Sequence, residues 1–327
     1  MSDNNTTCME AQDFVASTLA PMLILELILG IPGTILALWI LGCKAPWKPS
    51  TVYLLNLALA DVLLLIGLPF HIDSVIRGSW IFQDVFCRIT LFMLSVNQSA
   101  SIAFMTLMAV DRFFRIVYPH HTICNLSIRS IVRISCVVWI AVVTLRLPLL
   151  VTQLLRSYEN LSVSLCYNIY MWTESGLGMK VHNFLYVAEF ILAFMLLLFC
   201  SVRIYYHIRD NTRLREHRRV KRTVNLLLTV VIMFTFCFMP SYITGLVALF
   251  LKDVSSCSPY LVVGKLFSVS VILAYLNCAL DPILYCLSNA GFRDTLKGVA
   301  NSTGFTKFKL SLIIVTVTCV INSLDLH

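Results

Sequence analysis

Charge is what this chain of 327 residues has least of. Asp, Glu, Lys and Arg make up 13% of it and apolar residues 58%, whereas soluble domains run at about a quarter charged and about half apolar. The common catalytic patterns are missing too: there is no His-Glu metal motif, no nucleophile elbow and no glycine loop to cradle phosphates. An enzyme reading therefore has nothing to stand on. The weak alternating strands of a membrane barrel are absent. Neither repeated halves with broken helices nor rings of pore charge are visible, so a transporter of organic acids is only a remote alternative. The segment up to Val15 contains Asp3, Glu10 and Asp13 but no Lys or Arg. Its acidity, and an apolar run too long for a signal h-region, argue against a cleavable signal peptide. No prenylation motif ends the chain.

What is there is arranged in blocks. Apolar runs of helical length cover roughly 18–42, 52–76, 86–110, 130–151, 183–206, 224–251 and 261–287, and about 20 such residues cross a bilayer as a helix. The expected fold is an all-α membrane bundle of seven helices over 18–287. It follows an outer segment, 1–17, and precedes a short amphipathic eighth helix and tail, 288–327. The third run is the central one. From Ile89 to Val110 it has no ionisable side chain, yet it holds Ser95, Asn97, Gln98, Ser99 and Ser101. Polar side chains in a spanning helix face protein or water, so this helix belongs inside the bundle. The apolar stretch Leu310 to Ile321 is too short for an eighth span.

The bases give the orientation. Arg209, Arg213, Arg215, Arg218, Arg219, Lys221 and Arg222 fall between the fifth and sixth runs, Lys44 and Lys48 after the first, and Arg112, Arg115 and Arg129 around the loop after the third. Positive loops stay cytoplasmic, which puts the amino terminus outside. The net charge of +8 then belongs to one membrane face, and nucleic-acid binding is a poor reading of it. Asn4, Asn5 and Asn160 begin glycosylation sequons on the outer side. Of twelve cysteines, Cys8, Cys87, Cys166 and Cys257 fall outside, where disulfides persist; four cysteines allow three pairings. Others, such as Cys136, Cys200 and Cys286, read as small buried hydrophobes.

Six motifs in chain order carry a resemblance. They are Asn56 to Asp61 (NLALAD), Asp111-Arg112-Phe113, Trp139, Cys237-Phe238-Met239-Pro240, Asn277-Cys278-Ala279-Leu280-Asp281-Pro282, and Tyr285 after them. Over about residues 18 to 297 the chain resembles the rhodopsin-like G-protein-coupled receptors. Within them it is most similar to the hydroxycarboxylic acid and oxoeicosanoid receptor group, through Ala37 to Ile40, Leu91 to Asn97, Val117 to His121, Phe238 and Glu189. It also departs from the pattern. Thr34 stands where the family has asparagine, Ala193 where it has proline, and Phe113 where it has tyrosine. Gln98 stands where hydroxycarboxylic acid receptors have a carboxylate-binding arginine.

The resemblance implies a plasma-membrane receptor that passes an outside signal to an inhibitory-class heterotrimeric G protein. Its ligand would be a small or lipid-derived carboxylic acid; a peptide or nucleotide ligand on the same fold is the alternative. Asp111, Arg112, Phe113 and Tyr285 would serve G-protein coupling, with Arg112 held by Asp111 at rest. A lone arginine there would read as a snorkelling anchor. Asp61, Asn97, Ser101, Asn277 and Asp281 would hold a sodium ion, or else one carboxylate is protonated and bonds the other. No further cofactor is implied. In the outer half, Arg77, Gln98, Arg146, His182, Glu189, Tyr242, Lys265 and Tyr275 are the candidates for ligand contact. Arg146 is either the carboxylate anchor or the ion-pair partner of Glu189. Cys87–Cys166 is the preferred disulfide, tying the third helix to the second outer loop, and Cys8–Cys257 the second.

Overall fold

The computed structural model describes residues 3–44, 47–158, 163–166, 176–211, 218–250, 257–288 and 292–295. Seven helices among them are long and apolar enough to span a membrane: Leu19–Lys44, Pro49–Arg77, Gln83–Val117, Ile128–Val151, Leu177–Asp210, Val220–Ala248 and Val262–Ser288. They are numbered one to seven below. The first helix begins at Asp3, so the segment before Leu19 is a helical extension of the first span. Their outer faces keep large apolar side chains exposed, with Ile140 at 66% and Leu192 at 71%. Such a surface suits hydrocarbon, because helices satisfy their own backbone groups there.

The third helix is the most enclosed, as its polar residues require. Asn97, Ser99 and Ser101 on it are all buried. The first helix packs tightly because Gly30 lacks a side chain: a Cβ there would lie 3.0 Å from Leu65 and 3.1 Å from the Cys278 sulfur. Thr34, one turn on, meets that same sulfur at 3.7 Å. The second and fourth helices are joined by Trp139, whose indole N–H donates to Asn56 Oδ1 at 2.8 Å.

Proline shapes the sixth helix. Pro240 has no N–H to offer the helix ladder, and the turn before it, Phe234–Phe238, widens to a π-helix. Such bulges are a recognised source of kinks. Phe238 is buried there, edge-on to Phe234 at 5.6 Å.

A small hairpin roofs the outer end. Strands β1 (Arg156–Tyr158) and β2 (Val163–Leu165) pair antiparallel, Arg156 opposite Leu165. Cys166 follows β2 and is bonded to Cys87 at the top of the third helix, with Cα atoms 5.5 Å apart. The Trp80 N–H donates to the Ser164 carbonyl at 2.7 Å. Asp84 accepts from the Leu154 and Leu155 amides at 3.2 and 3.0 Å. At the inner end residues 292–295 form one helical turn. Phe292 is buried there, its ring 5.6 Å from Tyr285. The rest of the expected eighth helix and tail, and Asn160, lie outside the described residues, as do the side chains of Asn4, Asn5, Cys8 and Cys257.

Candidate ligand and signalling sites

In the outer half, the third, fourth, fifth and sixth helices bring five of the expected residues together. Arg146 ends the regular part of the fourth helix and is 0% exposed. Its Nε donates to Ser99 Oγ at 2.9 Å, Nη1 lies 3.4 Å from His182 Nε2, and Nη2 donates to Ser99 and to Glu189 Oε2. Ser99 also donates to Glu189, at 3.4 Å. The guanidinium carbon stands 4.7 Å from the centre of the Tyr186 ring. Tyr186 stacks on Tyr242 at 4.4 Å and Tyr242 on Phe190 at 4.1 Å. Gln98 donates to Ser241 at 3.3 Å. The buried Tyr242 hydroxyl has no hydrogen-bond partner among the described residues.

Of the two readings of Arg146, the geometry contains the ion pair with Glu189. A buried guanidinium is expensive without such a partner. The fifth helix supplies it because His182, Tyr186, Glu189 and Phe190 recur at four, seven and eight residues and so share one face. Ser99, Tyr186 and Ser241 were not among the expected contacts. That same spacing was the available signal for Tyr186; nothing local distinguished Ser99 from its neighbours.

Three candidates stand apart from this cluster. Arg77 is held on its own helix by Asp73, at 2.8 and 2.9 Å. Tyr275 packs edge-on to His71 at 5.9 Å, within an apolar group joining the first, second and seventh helices. Lys265 is half-buried near the outer end of the seventh helix.

At mid-depth lies a second polar cluster. Asp61 accepts from Asn97 at 3.5 Å and from the Tyr285 hydroxyl at 3.1 Å; Asp281 accepts from Asn277 at 3.2 Å. Asp61 and Asp281 are both 0% exposed, and no cation of the described chain pairs with either. Ser101 Oγ, Asn277 Oδ1 and Asp281 Oδ1 are buried without hydrogen-bond partners among the described residues. Oxygen atoms of this kind, one of them from a carboxylate, with a second carboxylate, that of Asp61, in the same cluster, fit a hard cation. Tyr285, expected at the coupling face, reaches this cluster through its hydroxyl.

At the inner end of the third helix the expected ion pair of Arg112 with Asp111 is present but long, and a second arginine shares the carboxylate. Asp111 is gripped by Arg115, whose Nε lies 3.0 Å from both carboxylate oxygens, while Arg112 Nε is 3.8 Å away. The cause is helical spacing. Arg115 is four residues on and shares the face of Asp111, whereas an adjacent residue points elsewhere. Arg112 Nε is buried without a hydrogen-bond partner among the described residues. Phe113 is buried, its ring 5.8 Å from Phe199 of the fifth helix.

Residues 33–285 match the family described as 7 transmembrane receptor (rhodopsin family). The chain is 36% identical over 307 residues to human Hydroxycarboxylic acid receptor 3, covering 91% of this chain and 77% of the relative. It is 34% identical over 284 residues to human Oxoeicosanoid receptor 1, covering 86% and 72%. To the mouse 12-(S)-hydroxy-5,8,10,14-eicosatetraenoic acid receptor it is 30% identical over 300 residues, covering 91% and 93%. The motifs, the seven helices and these likenesses agree: the chain is a multi-pass membrane receptor, not an enzyme, and belongs to the rhodopsin family of seven-transmembrane receptors.

Proposed function

We propose that this receptor sits in the plasma membrane with its amino terminus outside, senses a small or lipid-derived carboxylic acid, and activates an inhibitory-class heterotrimeric G protein. The relatives are named for acids: hydroxycarboxylic acids, an oxoeicosanoid and a hydroxyeicosatetraenoic acid. The observation that carries the reading here is the buried Arg146 cluster under the disulfide-tied roof. Its guanidinium has five N–H donors. Ser99, Glu189 and His182 engage those at Nε, Nη2 and one at Nη1. A ligand carboxylate takes the remaining Nη1 N–H, with the Tyr242 hydroxyl and the Gln98 amide as neutral donors beside it. Because Glu189 already balances Arg146, the anchor is weaker than an uncommitted arginine.

Signal transfer runs through the mid-depth cluster. Asp61, Asn97, Ser101, Asn277 and Asp281 hold a sodium ion in the resting state, which supplies the positive charge that two buried carboxylates require. Arg112 then reaches the G protein when the sixth helix swings at the π-turn before Pro240.

A cyclic AMP assay tests the whole reading. Cells expressing the receptor are given a panel of hydroxy, oxo and unsubstituted fatty acids, with peptide and nucleotide arms. The expected result is a fall in cyclic AMP for one class of acid. A response confined to peptides or nucleotides would overturn the ligand class, and a rise in cyclic AMP would overturn the G-protein class.

A further inference from the structure

The inner halves of the fifth and sixth helices do not close on each other. Between them lies a cleft of about 820 Å³, within the roughly 300–1,000 Å³ of small-molecule sites. It is graded along its length. Its upper part is apolar, lined by Leu198, Val202, Leu228 and Val231; its lower rim carries Arg209 and Lys221. Val202 and Leu228 are 48% and 57% exposed, so the cleft opens sideways, toward lipid.

The gradient matches the depth of a bilayer leaflet. Lys180 and Arg203 are successive charges on the fifth helix apart from Glu189, and 23 residues separate them. At 1.5 Å per residue that is about 35 Å, close to the roughly 30 Å hydrocarbon thickness. Arg203 therefore marks the inner boundary, and Arg209, six residues on, stands among headgroups. On the sixth helix Lys221 and Arg222 mark the same level. Tyr205 and Tyr206 line the cleft there and are exposed, as aromatic side chains are at an interface. Arg209 lies over Tyr206, 5.0 Å from the ring centre, and 3.8 Å from Asp210. Halfway up, Ser201 lines the cleft with a buried hydroxyl that has no hydrogen-bond partner among the described residues.

We propose that this cleft binds an anionic phospholipid of the cytoplasmic leaflet. Its phosphate-bearing headgroup lies between Arg209 and Lys221, an ester carbonyl accepts from Ser201, and one acyl chain rises between Leu198, Val202, Leu228 and Val231. A free fatty acid fits less well, since its single carboxylate cannot meet both the basic rim and the buried hydroxyl above it. The bound lipid spans two helices, so any lipid preference for one helix spacing shifts the receptor toward that spacing. The leaflet assignment rests on the proposed orientation; the cleft itself does not.

The test uses the full chain in nanodiscs, where both leaflets have the same composition. Native mass spectrometry counts bound phosphatidylserine, phosphatidylcholine and oleate on wild type, on Arg209→Gln/Lys221→Gln, and on Leu228→Trp, which fills the cleft. Wild type should retain phosphatidylserine over phosphatidylcholine by about 25-fold, the worth of two basic side chains at a membrane surface. The double variant should lose that preference, and Leu228→Trp should lose retention of both lipids. Both variants change exposed side chains, and the Cys87–Cys166 bond checked by peptide mapping reports their folding. Equal retention of the two phospholipids, a preference unchanged in the double variant, or oleate outcompeting phosphatidylserine would each overturn the site. The orientation fails separately, if Asn4 and Asn5 stay unglycosylated in cells.

Discussion

Two buried polar clusters share this bundle, and they are balanced in opposite ways. The outer one contains its own cation: Arg146 meets Glu189, with Ser99 and His182 taking further donors. The middle one pairs Asp61 and Asp281 with no cationic side chain of the described residues, among which oxygen atoms of Ser101, Asn277 and Asp281 also find no hydrogen-bond partner. Both sit where water is scarce and uncompensated charge is costly. A cluster that supplies both signs can stand by itself. A cluster that supplies one sign requires something from outside. On the proposed function, the first is a scaffold beside which a ligand is received and the second a socket for an ion.

The largest expected effect comes from upsetting the balanced cluster. Glu189→Gln strands a guanidinium that is 0% exposed, and breaking a buried pair costs about 3–5 kcal/mol. Thermal unfolding of the purified receptor should drop sharply, and Arg146→Gln/Glu189→Gln should recover most of the loss. A single variant as stable as wild type would mean the pair is not what holds the two helices there.

The roof over that cluster comes next. Cys87→Ala removes the bond to Cys166, and loss of a native disulfide costs about 2–5 kcal/mol. Surface expression should fall to background, whereas Cys8→Ala should change it little. Equal surface levels for wild type and Cys87→Ala would detach the roof from the fold.

The middle cluster should respond to salt where the outer one does not. Replacing choline chloride with sodium chloride at constant ionic strength should stabilise wild type by about 1 kcal/mol, with sodium at about five times its dissociation constant. It should also weaken agonist binding. Asp61→Asn should abolish both responses, and Arg146→Gln/Glu189→Gln should keep them. A sodium response that survives Asp61→Asn would leave the carboxylates sharing a proton instead.

Smallest in stability is the contact at the inner end. Arg115→Gln loses an ion pair one turn apart, worth about 0.3–0.5 kcal/mol before the discount for its partial exposure. Arg112→Ala should likewise leave ligand binding almost unchanged while removing nucleotide exchange on the G protein. Exchange at wild-type efficacy would reduce Arg112 to a membrane anchor.

What could be read ahead of the structure followed the physics of single helices. The seven spans were legible because hydrocarbon demands long uncharged runs. Asn97 with Ser101 and Asn277 with Asp281 were legible because residues four apart share a face. Contacts that depend on how one helix is rotated against another were not. Ser99 was one polar residue in a run of five, and only its rotation toward the fourth helix gives it two bonds from Arg146. Arg146 itself had two readings, and the choice depended on where Glu189 points. Family likeness points to the pair of Arg112 with Asp111, which is present at 3.8 Å, whereas the closer hold of Arg115 on the same carboxylate follows from simple four-residue spacing. The π-turn at Phe234–Phe238 follows from Pro240, but its width is a three-dimensional outcome.

If an acid ligand is received beside Arg146 as proposed, the contrast between an acid and its methyl ester isolates the contribution of that arginine. Agonist potency of both is measured on wild type and on Arg146→Gln/Glu189→Gln, so that any general loss of fold affects both ligands alike. Wild type should favour the acid, and the double variant should lose about 1.5–3 kcal/mol of that preference, the worth of one hydrogen bond to a charged group. An acid preference that is the same in both receptors would contradict the account and place the carboxylate elsewhere.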